Sequence, residues 1–358
     1  MEGWHLSKNF PITSRRGFAR LMTSLAAGIG AASNIAVARN KTEPGSSGSV
    51  PETQKSKGGG MKPLMHRDTM EPYDLREIAY IQGVDHNESL SVGPKGEAYT
   101  CGFNTGRVFR LDLESNTGQA FASTGGRRVL GQVVDADGNI YCAEPEGPGS
   151  KITRVSPNGK TSVYSTGPGG GSFMSANTPA FDRHGSMYLS DTGSWSQTID
   201  GRIYKIPPGG GAAQLWFAEP VDTPNGIAID GEEKYLYFVE TWGNSIARIA
   251  IKKDGSAGDF ERVVHMPRHV PDGIAFDDEG RLWIACDRPD AIYVFDVRTR
   301  RFEVFAEDWQ GGGIRGVDHV AFAGPQRDIL LASSVDRPRV HRFNHPGARG
   351  LKLNNPKL

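Results

Sequence analysis

One pattern recurs six times along this chain, and it leaves few folds open. It is an apolar strand, a tight polar turn and a second apolar strand, usually with an acid or amide just ahead of the first. The clearest copy runs Pro271-Asp272-Gly273-Ile274-Ala275-Phe276, then Asp277-Asp278-Glu279-Gly280, then Leu282-Trp283-Ile284-Ala285. Aligned on the last apolar residue of the first strand (Val92, Val134, Phe181, Ile229, Phe276 and Phe322), the copies stand 42, 47, 48, 47 and 46 residues apart. A period in the forties with several strands per period is the mark of a β-propeller.

Each copy carries further strand signals. The turns Pro94-Lys95-Gly96, Ala136-Asp137-Gly138, Arg183-His184-Gly185 and Asp278-Glu279-Gly280 separate the first strand from the second. Third strands such as Arg107-Val108-Phe109-Arg110 and Arg202-Ile203-Tyr204-Lys205 alternate with the period of two that half-buried strands show. Fourth strands such as Gln119 to Ala122, Gln214 to Phe217 and Glu261 to Val264 are more variable. The sixth copy has only a weak fourth strand, at Leu351-Lys352-Leu353. Arg76-Glu77-Ile78-Ala79-Tyr80, ahead of the first copy, reads like Glu261 to Val264. The expected fold is therefore all-β: a six-bladed propeller of four-stranded antiparallel blades over residues 73–358, closed by an N-terminal strand in the last blade. Closure of this kind removes unpaired edges.

The totals agree with one repeat-built domain. The chain has 358 residues with 46 Gly and 22 Pro, enough for many turns between short strands. Basic and acidic residues balance at 41 each, so nothing attracts a nucleic acid. The three cysteines, Cys101, Cys142 and Cys286, are too few for a disulfide framework and read as buried free thiols.

Residues 1–38 read as an address. Ser14-Arg15-Arg16-Gly17-Phe18 precedes an uncharged run from Leu21 to Ala38 that is rich in Ala, Gly and Ser, and Ala36-Val37-Ala38 offers a cleavage site. These features resemble a twin-arginine export signal. The expectation is a bacterial protein, periplasmic or secreted, with no stable membrane anchor after cleavage. Residues 39–72 are rich in Gly, Ser, Lys, Pro and Thr, without apolar period, and read as a flexible linker.

Four residues before each alignment position stand Glu88, Leu130, Asn177, Asn225, Asp272 and Asp318. Equivalent positions of a propeller lie at equivalent heights around the channel, so five oxygen-bearing side chains are expected at one mouth. The plain alternative is that Pro224-Asn225-Gly226 and Pro271-Asp272-Gly273 are turns; turn formation does not account for Glu88. Two carboxylates about 4 Å apart repel by roughly 4 kcal/mol at an effective dielectric near 20, and a divalent cation removes that cost. Oxygen donors favour calcium, magnesium or manganese, with zinc less favoured for want of an imidazole. Glu88 and Asp272 balance the charge, Asn177 and Asn225 add neutral oxygens, and Asp318 stands outside them or accepts a proton. His319, beside Asp318, is the histidine best placed for chemistry.

These residues resemble the senescence-marker-protein/gluconolactonase family of six-bladed propellers over roughly Tyr73 to Asn344. The matching pieces are Glu88, Ala176-Asn177-Thr178, Pro224-Asn225-Gly226-Ile227-Ala228 and Pro271-Asp272-Gly273-Ile274 with Leu282-Trp283-Ile284-Ala285. The resemblance implies one divalent metal, often calcium, on Glu88, Asn177, Asn225 and Asp272. It also implies that Asp272 is the catalytic acid/base and that Asn177 contacts metal, water or substrate. Where some members carry an arginine for sugar hydroxyls, two residues before Asn177, this chain has Ser175, so Ser175 joins Asp318 and His319 among the substrate-side positions. The family's Glu-Gly-Pro is here Glu88-Ser89-Leu90, a variant that also resembles the strictosidine-synthase-like propellers, and its Asn-Asp is Asn177-Thr178.

The expected activity is metal-dependent opening of a lactone or related cyclic ester on a small-molecule substrate, with Trp195, Trp242 and Trp309 as candidate pocket walls. An esterase, phosphotriesterase or lyase on the same site is the alternative enzyme, and a non-catalytic exported ligand-binding propeller the alternative without chemistry. Nothing in the sequence names a protein partner.

Overall fold

The computed structural model describes residues 72–147 and 149–358. The export signal at 1–38, and the linker at 39–72 apart from its last residue, lie outside the described residues.

Six sheets follow one another along the chain, each built around an antiparallel meander. The first blade comprises Asn87–Val92, Ala98–Gly102, Arg107–Asp112 and Thr117–Ser123; the fifth comprises Val270–Phe276, Arg281–Arg288, Asp290–Asp296 and Arg301–Asp308. The third blade's outer strand is short, Gln214–Leu215, where a longer run is expected from the sequence. Just before it, Gly211–Ala212 pairs in parallel with the outer strand of the second blade, Thr161–Thr166. The alignment residues Val92, Val134, Phe181, Ile229 and Phe276 end their strands, and Phe322 stands one residue short of the end of Val320–Ala323.

The core lies between blades. Six apolar clusters fill the six interfaces: Leu90, Val92 and Phe109 of the first blade meet Leu331 and Val340 of the sixth. Tyr237, Val239 and Ile246 of the fourth meet Ile284, Tyr293 and Phe302 of the fifth. Each blade therefore has two buried faces. That is why middle strands such as Leu236 to Val239 and Leu282 to Cys286 are apolar without interruption rather than alternating.

An acid placed directly after the alignment residue builds the first hairpin. Asp135 Oδ1 accepts from Asp137 N and Asn139 N, Asp182 Oδ1 from His184 N and Ser186 N, and Asp277 Oδ1 from Glu279 N and Arg281 N. Gly138 and Gly280 take the left-handed conformation (φ +78° and +79°) that the turn requires. The other carboxylate oxygen reaches the second strand, where Tyr141 OH donates to Asp135 at 2.8 Å and Trp283 Nε1 to Asp277 at 2.9 Å.

The ring closes as expected, with a shifted boundary. Ala79–Ile81 pairs antiparallel with Val340–Asn344 and is the fourth strand of the last blade. Residues Leu75–Glu77 instead form a 3-10 turn capped by Asp74. The weak candidate Leu351-Lys352-Leu353 is not a blade strand. The segment from Arg349 crosses the lower mouth of the channel and bonds to all six blades. Leu351 N donates to Phe276 O at 2.9 Å, and Gly350 N to Arg327 O at 2.8 Å. Asn354 Nδ2 donates to Phe181 O and Glu233 Oε1, and Asn355 Nδ2 to Val92 O and Val134 O. Four of these acceptors are carbonyls of alignment residues, at the inner-strand ends where the sheet offers no donor. Between this tail and the upper mouth lies a cavity of about 440 Å3, lined by inner-strand residues of all six blades together with Leu351, Leu353 and Asn354.

Two outcomes follow from these contacts. Removing residues 72–82 strips Ile78 and Ile81 from the last interfaces and bares an edge; the unfolding midpoint is expected to fall by roughly 10 °C with aggregation, and an unchanged midpoint would refute closure. His341 is fully buried between Ala332 O and Arg315 N, and burial lowers its pKa from 6.5 to about 3. The folded protein holds it neutral while the unfolded chain protonates it below pH 6.5. Its contribution is thus complete above pH 6.5 and is lost progressively as the pH falls towards 3. Urea midpoints between pH 7 and 4 should fall less steeply for His341→Gln than for the parent.

Candidate functional site

The site is built by a backbone irregularity repeated in four blades. In the first blade Asn87 pairs with Gly102 and Leu90 with Thr100, so three steps on the inner strand meet two on its partner. The same one-residue excess occurs between Ala176 and Pro179, between Pro224 and Ile227, and between Pro271 and Ile274. These β-bulges contain Glu88, Asn177, Asn225 and Asp272. A bulge unpairs a residue and re-aims its side chain, so the four candidate donors share one local geometry, each at the upper end of an inner strand. Asn225-Gly226 and Asp272-Gly273 therefore lie within strands, not in the turns that their composition also allowed.

Neighbouring inner strands nearly touch at this height. A Cβ on Gly226 would lie 2.6 Å from Asp272 O, and one on Gly273 would lie 2.6 Å from Asp318 O. One on Gly131, in the blade whose donor position is Leu130, would lie 2.6 Å from Thr178 Cα. Glycine follows Leu130, Asn225 and Asp272 because the adjacent backbone occupies the space a side chain would need. Glu88, Asn177, Asn225, Asp272, Asp318 and Ser175 are all buried, each at 4% exposure or less.

Hydroxyls at the end of the second strand tie one donor to the next. Asn177 Nδ2 donates to Thr192 Oγ1 at 2.9 Å, and that hydroxyl donates to Pro224 O, also at 2.9 Å. Asn225 Nδ2 donates to Thr241 Oγ1 at 3.2 Å, and Thr241 donates to Pro271 O at 3.2 Å. Ser333 Oγ accepts from His319 N and donates to Glu88 O at 2.7 Å. Each threonine has spent its only proton on a carbonyl, so it must receive an N–H from the amide. This sets both asparagines with nitrogen towards threonine and oxygen away from it. Thr192, Thr241 and Ser333 were missed in the sequence; their signal is that each directly follows a second strand.

Asp287 directly follows Cys286, which pairs with Pro271, just as Thr192 follows Asp191 and Thr241 follows Glu240. A buried carboxylate thus takes the hydroxyl position beside Asp272. Burial first, and then the charges of Asp272 and Asp287, push the Cys286 thiol well above its ordinary pKa.

The donor set suits a hard cation: two carboxylates and two amide oxygens from four blades. Among the described residues no three His, Cys, Asp or Glu side chains gather as a metal cluster, so Glu88, Asp272 and Asp318 do not form a three-carboxylate centre. His319 lies at the channel wall, partly open to the cavity yet surrounded by protein, and its Nδ1 has no hydrogen-bond partner. That desolvation lowers its pKa to about 4, leaving it neutral. Ser175 Oγ accepts from Trp195 Nε1 at 2.9 Å, which fixes the indole beside the strand of Asn177. Trp309 is largely exposed and Trp242 partly so.

Known proteins share this fold. The family model for the SMP-30/Gluconolactonase/LRE-like region matches residues 161–336, which bears out the likeness read from the motifs. Pentonolactonase XacC of Haloferax volcanii is 27% identical over 146 residues, 39% of this chain and 47% of that protein. Lactonase drp35 of Staphylococcus aureus is 28% identical over 122 residues, 33% of this chain and 37% of that protein. The matched segments thus span less than half the length of these relatives. Among solved structures, the gluconolactonase XC5397 from Xanthomonas campestris superposes with a TM-score of 0.61 at 20% identity, covering 74% of this chain and 86% of that one. The calcium-binding protein regucalcin from Agrobacterium tumefaciens does so with 0.61 at 17%, covering 77% and 95%. At these identities the superpositions show the fold.

The hydroxyl bridges and the close-approach glycines are open to test. Thr192→Val and Thr241→Val each leave a buried amide N–H and a carbonyl unpaired and should cost about 1–3 kcal/mol in urea unfolding. Gly273→Ala forces Cβ into the neighbouring backbone and should cost a similar amount; three parent-like midpoints would show that the inner strands do not crowd as described.

Proposed function

We propose, from the premise that residues 161–336 form an SMP-30/gluconolactonase/LRE-like region within a six-bladed propeller, that this chain is a metal-dependent hydrolase opening a lactone or related cyclic ester. The observation that carries the reading is the identical bulge at Glu88, Asn177, Asn225 and Asp272, which sets four oxygen donors in equivalent positions of four blades.

Glu88 and Asp272 would balance a divalent cation, with the carbonyl oxygens of Asn177 and Asn225 completing the protein's share; the regucalcin neighbour, named as calcium-binding, favours calcium. When bound, the cation supplies polarisation of the ester carbonyl and a lower pKa for water. The remaining work falls to the chain. Asp272 takes a proton from the attacking water and returns it to the ring oxygen as the C–O bond breaks. The threonine-set orientation of Asn177 and Asn225 suits cation holding better than donation to an oxyanion, since one N–H of each is committed. Neutral His319 and Asp318 border the same strands and would face the leaving side of the substrate. The twin-arginine segment makes the proposed enzyme an exported one.

A panel of lactones and linear esters, assayed on chelator-treated protein with calcium, magnesium, manganese or zinc restored, tests this reading. Lactone opening should be abolished by chelator and restored by one of the ions. Asp272→Asn should lower kcat by roughly 10²–10⁴, and Glu88→Gln should raise the ion concentration needed. Undiminished turnover by Asp272→Asn in chelator would overturn the mechanism.

A further inference from the structure

The interface between the first two blades contains a pair of thiols. Cys101 sits on the second strand of the first blade and Cys142 on the second strand of the next, and their sulfurs are 3.6 Å apart. Both are fully buried in one apolar cluster with Val108, Val129, Val134 and Ile140. Cys286, between the fourth and fifth blades, is far from this cluster in the ring. A disulfide needs the sulfurs at about 2.05 Å. The approach still required is on the order of 1.5 Å, within the reach of side-chain rotation and small strand shifts.

We propose that Cys101 and Cys142 are a cross-linking site, forming a cystine that staples the first blade to the second. The oxidant is a small-molecule disulfide such as oxidised glutathione. One cysteine thiolate attacks it, giving a mixed disulfide and one reduced thiol. The second cysteine attacks the mixed disulfide, closing the S–S bond and releasing a second reduced thiol. Two cysteine protons and two electrons pass to the two thiols released.

Burial and the neighbouring thiol raise the Cys101 pKa well above its usual value, so the reactive thiolate is scarce in the closed interface. The bond accordingly forms while the two blades dock, or when their interface opens, and is then shielded from reductants. The staple bears on the upper mouth. It joins the blade that carries Glu88 to the blade whose Gly131 backs onto the strand of Asn177. It also closes a loop of 41 residues, long enough to restrict the unfolded chain strongly.

The test uses the full chain, unfolded and refolded in a glutathione redox buffer or in dithiothreitol. Thiols are then counted by N-ethylmaleimide labelling in denaturant and intact mass. The expected result is three labelled cysteines after dithiothreitol and one, Cys286, after redox refolding, with a peptide pair joining Cys101 to Cys142. The cross-linked form should melt on the order of 5 °C higher. Cys101→Ala and Cys142→Ala should each lose both the cross-link and the difference in melting temperature between the two refolding buffers. Three labelled cysteines under both conditions, or a cross-link that includes Cys286, would overturn the proposal.

Discussion

Crowding of the inner strands around one axis governs this molecule. At the height of the donor residues the backbone of one blade lies where the neighbour's Cβ would be, as Gly226 against Asp272 and Gly273 against Asp318 show. Strands that close cannot also pair regularly with their own outer partners. The bulge is the local solution: one residue leaves the ladder, the strand turns, and the side chain it releases points to where no sheet partner competes for it. The bulges at Glu88, Asn177, Asn225 and Asp272 thus go with closing six blades round a narrow channel. The same crowding leaves backbone carbonyls without ladder partners, and threonine and serine hydroxyls fill those vacancies while fixing the amides. Shape and polar satisfaction are met by one set of atoms.

The lower end meets the same problem by another route. There the inner strands end in carbonyls, and the tail brings Asn354 and Asn355, whose amides each span two blades. Upper and lower mouths therefore differ in kind. At one the inner strands carry bulges at Glu88, Asn177, Asn225 and Asp272, and the other is covered by chain.

Much of this was legible in the sequence because it repeats. The alignment positions Val92 to Phe322 fall at or beside strand ends, and the four residues before them locate Glu88, Asn177, Asn225 and Asp272. What could not be read lacks a local pattern. The tail has no periodicity, since it bonds to six separate blades rather than to a neighbouring strand, so Leu351 to Leu353 resembled a strand. The boundary near Arg76 was misplaced because the charged run continues through a 3-10 turn. Asn-Gly and Asp-Gly have the composition of turns, and only the approach of the adjacent blade gives these glycines another cause. Thr192 and Thr241 look like ordinary loop starters until their partners are known. Asp135, Asp182 and Asp277 were visible, but their role required the hairpin that they hold.

An early strand and a late tail complete the same ring, and this fixes when the ring can become whole. The first strand waits for Val340–Asn344, and the lower cover needs Asn355. A ribosome has therefore made the chain as far as Asn344 before the circle can shut, and as far as Asn355 before its base is covered. Partial products would hold stacked blades with a raw flank and an uncovered base, so a nascent chain of this design shuts its ring only after the sixth blade is made, rather than by degrees.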